Sequence, residues 1–136
     1  MKTSELTGKA LNWAVGVADG IQWESDDPEV GLYHRRSRNN RLVLGALDYD
    51  TMDDWGLTLY SPSMKWAQGG PIIEREGISI VCWSFHSMPW KASIEGGTDA
   101  GVDLYVEYGH TPLIAAMRCY VASKLGDDIE IPKELT

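Results

Sequence analysis

Cysteine is scarce in this chain, with two among 136 residues, Cys82 and Cys119. Each lies in an apolar run, ISIVCW and AAMRCY, and neither has a second cysteine or a histidine at metal-ligand spacing. That argues against a disulfide framework and a zinc module, and for two reduced thiols packed in the core as small hydrophobes. Basic residues are also few, 12 Lys and Arg against 20 Asp and Glu, for a formal net charge of −8. Affinity for nucleic acid comes largely from cations neutralising phosphates. An acidic domain has little of that term, so no duplex nucleic acid is expected as partner, and the same reasoning disfavours an anionic membrane surface. No apolar run approaches the length of a membrane span, and the opening MKTSELTGKAL lacks the apolar region of a signal peptide. The expected compartment is the cytoplasm.

Catalytic signatures are missing too. The three histidines, His34, His86 and His110, are not spaced as zinc ligands, and neither Gly-x-Ser-x-Gly nor a phosphate-binding GxxxxGK[ST] loop occurs. Asp48, Asp50, Asp53 and Asp54 form an acidic run without the glycine and terminal glutamate of a calcium loop, and read as a solvated loop. Glu74 and Glu76, two residues apart, do not share a helical face. No cofactor, no metal and no catalytic residue is assigned, and the expectation is a protein that is not an enzyme.

What is present is ordinary globular composition, 43% hydrophobic and 24% charged, in a length suited to one domain spanning 1–136. Such a chain buries roughly two-thirds of its unfolded surface, enough for one core. Leu6, Ala10, Trp13, Ala14 and Val17 fall at helical spacing, with Thr3 or Ser4 to cap and Gly20 to end the helix. VGLYH and RLVLGALDY flank an Asn39-Asn40 turn and predict a hairpin, followed by a short strand over Trp55–Tyr60. Pro71 suits the first position of a short helix over Ile72–Glu76, closed by Gly77. ISIVCWSF reads as a buried strand at 78–85, Trp90–Ile94 as its partner, and Val102–Tyr108 as a half-exposed strand. Thr111-Pro112 then opens a helix with Ile114, Met117, Val121 and Leu125 on one stripe and Gly126 at its end. The fold class is α+β: a small antiparallel sheet with an N-terminal and a C-terminal helix plus a short central helix.

Candidate binding residues centre on WAQGGP. An exposed Trp66 indole can stack on a flat heterocycle. Gln68 can donate and accept, Gly69 and Gly70 admit a ligand to their backbone amides, and a helix start at Pro71 attracts phosphate. The alternative is a tight structural turn. Glu74 follows the glycine loop. Trp23 and Trp55, at strand ends or in loops, are either stacking surfaces or peripheral core, as are Trp66 and Trp90; Trp13 and Trp83 read as core. Arg35 and Arg36, with Arg38, are either a second phosphate contact or a solvated hairpin tip. Arg118, among apolar residues, requires an acid such as Glu74 or an anionic ligand.

Three strings, TSELTGKALNWAV at 3–15, PSMKWAQGGPIIEREGI at 62–78 and GHTPLIAAMRCYVASKLGDDIEIPKEL at 109–135, resemble the NinX family of lambdoid phage accessory proteins. The resemblance implies a phage origin, the cytoplasm of an infected bacterium, and no catalytic residue list. By analogy with small phage proteins that sequester nucleotide immune signals, the expected function is an anti-defence sponge. Its ligand would be a nucleotide-like small molecule: a cyclic ADP-ribose-type Thoeris signal or a cyclic dinucleotide. The alternatives are an enzyme degrading such a signal and a protein–protein inhibitor of a host factor. A homo-oligomer is one way to hide exposed tryptophans at a symmetric interface.

Overall fold

The first ordered feature is a clasp between the two ends of the chain. The structure, a computed structural model, describes residues 1–20, 33–36, 42–44, 57–83, 87–95 and 103–135. Thr3, fully buried in a 3-10 turn over Thr3–Glu5, donates its hydroxyl to the Gly126 carbonyl at 2.7 Å and its amide to the Asp127 carbonyl at 2.9 Å. Neither Thr3 nor Ser4 is therefore the cap of the first α-helix, which the sequence suggested. Helix α1 begins later, at Gly8–Ala18, behind an extended Thr7, and ends through Asp19 into a left-handed Gly20.

Helix α1 buries Ala10, Leu11, Ala14 and Val15, while Val17 is exposed. The buried face is rotated from the expected stripe because α1 packs on another helix and must also bury Leu11 and Val15 on that side.

Among the described residues two more α-helices follow, α2 at Trp66–Glu76 and α3 at Pro112–Leu125. Strands β1 (Tyr33–Arg36), β2 (Leu42–Leu44) and β3 (Leu57–Leu59) make one antiparallel sheet in the order β2-β1-β3. The expected hairpin is the β1–β2 pair, with Arg35 opposite Val43, and β3 pairs on the other side of β1. Strands β4 (Ser79–Cys82), β5 (Trp90–Glu95) and β6 (Asp103–Gly109) make a second antiparallel sheet in that order. The α+β class, with its N-terminal, central and C-terminal helices, is as the sequence predicts.

Helix α3 is the centre of the molecule. Thr111 caps it, its hydroxyl accepting the Ile114 amide at 3.1 Å, with Pro112 at the start and Gly126 at the end. Its burial runs nearly all round, from Leu113 to Ala122, because the β4-β5-β6 sheet lies against it on one side and α1 and α2 on others. Ala115, Ala116 and Ala122 keep that helix slim enough for such neighbours, and Met117, Tyr120 and Val121 fill the core with Leu6, Leu11 and Val15. Each large apolar side chain so buried contributes about 1.5–3 kcal/mol. Gly109 lies where a Cβ would meet the Ala115 amide nitrogen at 2.6 Å, so β6 can run directly into the start of α3. Ile129 and Ile131 of the tail pack back on this core.

Strand β4 departs from expectation. It is an edge strand, with Val81 and Cys82 exposed, rather than a buried one. Trp83 is exposed as well, with the Lys91 ammonium 5.3 Å from its ring centroid. An unbroken apolar run does not reveal which strand ends at the margin of a sheet; that depends on strand order. Cys119 is buried, as predicted for both thiols.

Candidate functional site

The segment carrying the sequence candidates starts with a buried turn. The Met64 and Lys65 amides donate to the Ser61 carbonyl at 3.0 and 2.8 Å. Ser61, Pro62 and Ser63 are buried. Asn12 of α1, 4% exposed, holds them. Its Oδ1 accepts the Ser63 amide at 3.0 Å and the Ser63 hydroxyl at 2.7 Å, and its Nδ2 donates to Ser61 Oγ at 3.2 Å.

Helix α2 starts at Trp66, five residues before the expected start at Pro71. Gly69 and Gly70 are helical, so they do not form a loop in front of a helix N-terminus. The order GGP has a packing reason. A Cβ on Gly69 would lie 2.4 Å from the Pro62 carbonyl oxygen and 2.6 Å from Leu113 Cδ2, so only glycine lets α2 settle against the turn and α3. Pro71 disfavours a helical residue before it, partly through that residue's Cβ; Gly70 has none. Gly77 closes the helix with φ +64°, as predicted.

The side chains of this segment divide. Gln68 Oε1 accepts the Ser61 amide, so that oxygen braces the turn. Met64 and Trp66 face solvent, 67% and 55% exposed, on either side of Lys65. The side chain of Lys65, the residue before α2, makes no cap hydrogen bond, and its carbonyl accepts the Gln68 and Gly69 amides at 3.0 and 2.9 Å. Glu74 is exposed on the same helix. Thus the structure brings Trp66, Gln68, Gly69, Gly70 and Glu74 onto one helix, with Trp66 the large apolar group it presents to water. Arg35 and Arg36 lie in β1, where their backbones pair with Val43 and Leu42. Trp23 and Trp55 lie outside the described residues, as do the acidic run at 48–54 and His86.

Arg118 is buried without Glu74 as partner. Its Nε donates to the Leu6 carbonyl at 2.8 Å and its Nη1 to the Tyr108 carbonyl at 2.7 Å and the Met88 sulfur at 3.7 Å. The guanidinium joins the N-terminal turn and β6 to α3. Burial lowers its pKa, opposed by the charge of Glu107. Glu107 in turn is held above the usual carboxylate value, first by burial and then by Asp127, against the pull of Arg118.

A second cluster escaped the sequence reading. The Asp19 carboxylate at the end of α1 accepts from Arg75 Nη2 at 2.6 Å and from the Tyr120 hydroxyl at 3.0 Å. Glu76 accepts from Arg75 Nε at 3.5 Å and lies 3.7 Å from the Lys124 ammonium. Burial, with the neighbouring Asp19, pushes the Tyr120 phenol up to about 12. Burial works against the Arg75 charge, but Asp19, Tyr120 and Glu76 together outweigh it and raise its pKa. These four charges alternate in sign and tie the ends of α1 and α2 to α3. No local sequence signal couples them. Among the described residues no group of three or more His, Cys, Asp or Glu is placed to hold a metal ion, and no helix is long and apolar enough to cross a membrane.

The fold and this site define a small α+β domain with an exposed tryptophan at the start of α2, behind a turn anchored by Asn12. Residues 2–124 match the family model described as Bacteriophage P22, NinX, and the chain belongs to the NinX family. It is thus a phage accessory protein. The match contains the first two resembling strings and most of the third, stopping at Lys124 within α3. A search of the curated proteins found no match.

Proposed function

We propose that this phage protein is an anti-defence binding protein, acting in the cytoplasm of the infected bacterium. It sequesters a nucleotide-derived immune signal, a cyclic ADP-ribose-type Thoeris signal or a cyclic dinucleotide, without catalysis. The observation that carries this reading is Trp66, a largely exposed indole at the start of α2, directly after an anchored turn. An exposed indole face takes a flat heterocycle. Lys65 beside it, at the start of α2, offers positive charge to a phosphate. Gly69 supports the site by letting α2 pack closely, and Gly70 by letting the helix run through Pro71, rather than as a phosphate cradle.

The test is to mix the purified protein with cyclic ADP-ribose or cyclic di-AMP, remove unbound compound, heat-denature the protein and identify what is released by mass spectrometry. Intact compound is the expected result. A cleaved product assigns the protein instead to signal-degrading enzymes, and no retained compound overturns the reading. The exposed outer residues of the second sheet, Val81, Trp83, Leu104 and Tyr108, favour one other reading, an inhibitor that docks on a host protein or pairs with a second copy. That reading predicts a co-purifying partner or a dimer in sedimentation.

A further inference from the structure

We infer that Asn12 is a positioning residue for the Trp66 site and that Met64 is the second apolar wall of that site; the inference rests on the functional reading above. Asn12 stands in α1, 51 positions before Ser63, yet all its bonds described above go to the turn that precedes Trp66. The Gln68 oxygen holds Ser61 from the other side, through the first turn of α2. Pro62, fully buried between the two serines, adds a locked φ. The turn is thus fastened both to α1 and to α2.

The cost of this arrangement points to its purpose. A buried amide opposes folding unless its hydrogen bonds are made, and an apolar residue at position 12 would carry no such cost. A satisfied polar network selects one backbone arrangement, where apolar packing tolerates several. The arrangement selected here leaves Met64 and Trp66 in water, although burying either would add stability. A turn serving only the fold has no need of two exposed large apolar side chains on a fastened backbone. A turn that receives a ligand does, since a rigid platform loses little freedom on binding. An indole and a polarisable thioether flanking Lys65 suit a flat heteroaromatic ring that carries an anionic group.

Two measurements on the full-length protein test this: native-state hydrogen exchange, and calorimetric titration with cyclic ADP-ribose. In Asn12→Ala, exchange of the Gln68 and Gly69 amides should rise about tenfold, and affinity should fall about tenfold. Asn12→Asp, whose carboxylate can accept from the Ser63 amide and from both serine hydroxyls, should recover much of both losses. Thr3→Val, which removes a buried hydrogen bond elsewhere, should lower global stability and move neither local exchange nor affinity. If Asn12→Ala does not fold, Ser63→Ala replaces it with the same expectations, smaller in size. Met64→Ala should weaken binding and leave exchange unchanged. Unchanged exchange at Gln68 and Gly69, or unchanged affinity, in Asn12→Ala overturns the role of Asn12. Unaltered affinity in Met64→Ala overturns the second wall. A Trp66→Ala variant that binds as tightly as wild type, or a wild type that does not bind, overturns the functional reading, while the exchange pattern still decides on Asn12.

Discussion

The Tyr120 hydroxyl donates a 3.0 Å hydrogen bond to the Asp19 carboxylate across 101 positions of sequence. The same carboxylate oxygen takes the Arg75 guanidinium, so one acceptor at the end of α1 gathers groups from α2 and α3. Tyr120→Phe keeps the ring and removes the donor. The expected loss is about 1 kcal/mol in urea denaturation at neutral pH. The phenol titrates at about 12 in the folded protein, above the ordinary 10.0 of an unfolded tyrosine. A raised folded pKa means the folded state holds the proton more tightly. The contribution is complete below pH 10 and is lost as pH rises towards 12. The stability gap between wild type and Tyr120→Phe should therefore narrow over that window; a gap constant to pH 12 contradicts it.

Glu107 gives the opposite sign of mutational effect. Burial raises its folded pKa above the ordinary 4.5, so its charged form opposes folding at neutral pH. Its contribution is favourable only at acid pH and is lost as pH rises through the folded pKa. Glu107→Gln should raise stability at pH 7, and the gain should disappear below about pH 4.5. Thermal unfolding at a series of pH values reads this directly.

Arg118 offers donors that no smaller side chain replaces. Arg118→Ala leaves the Leu6 and Tyr108 carbonyls without it, for an expected loss of about 3 kcal/mol. Arg118→Lys should recover little, because a single ammonium does not reproduce the guanidinium fork that reaches both carbonyls. Equal stability of the lysine variant and wild type would contradict that geometry.

The two adjacent glycines of α2 should respond differently. Alanine gains about 1 kcal/mol of helix propensity at either position. At Gly69 the new methyl meets the Pro62 carbonyl and Leu113, and overpacking of this kind costs about 1–3 kcal/mol. At Gly70 nothing lies within 4 Å beyond its chain neighbours, so only the conflict with Pro71 opposes the gain. Melting temperatures should rank Gly69→Ala clearly below Gly70→Ala.

Trp66→Ala separates site from fold. The indole is mostly outside the core, so stability should change by no more than about 0.5 kcal/mol. Binding of cyclic ADP-ribose should be lost. A large drop in stability would instead make Trp66 a folding residue.

Features that depend on neighbouring residues were legible without a structure. Thr111 and Pro112 start α3, and Gly77 and Gly126 end α2 and α3, because caps and left-handed closures are made within one turn of chain. The β1–β2 hairpin follows from two extended runs around Asn39-Asn40. Less legible was WAQGGP, where the proline was read as a helix start. Gly70 in fact lets α2 run through Pro71, and Pro62 and Leu113 leave no room for a side chain at Gly69.

By itself the sequence determined the acidic balance, the α+β class, the capped C-terminal helix and, through its resemblance to a known family, the phage origin. Only the tertiary structure decided that Thr3 bonds to Gly126 rather than capping α1, and that β4 is an exposed edge. It alone joined Asp19 to Arg75 and Tyr120, and set Asn12 beneath the turn that presents Trp66. The physical reason is range. Caps, turns and periodicity are settled by atoms a few residues apart, whereas a buried polar group is satisfied by whatever the fold brings to it, and those partners stand tens of residues away in the chain.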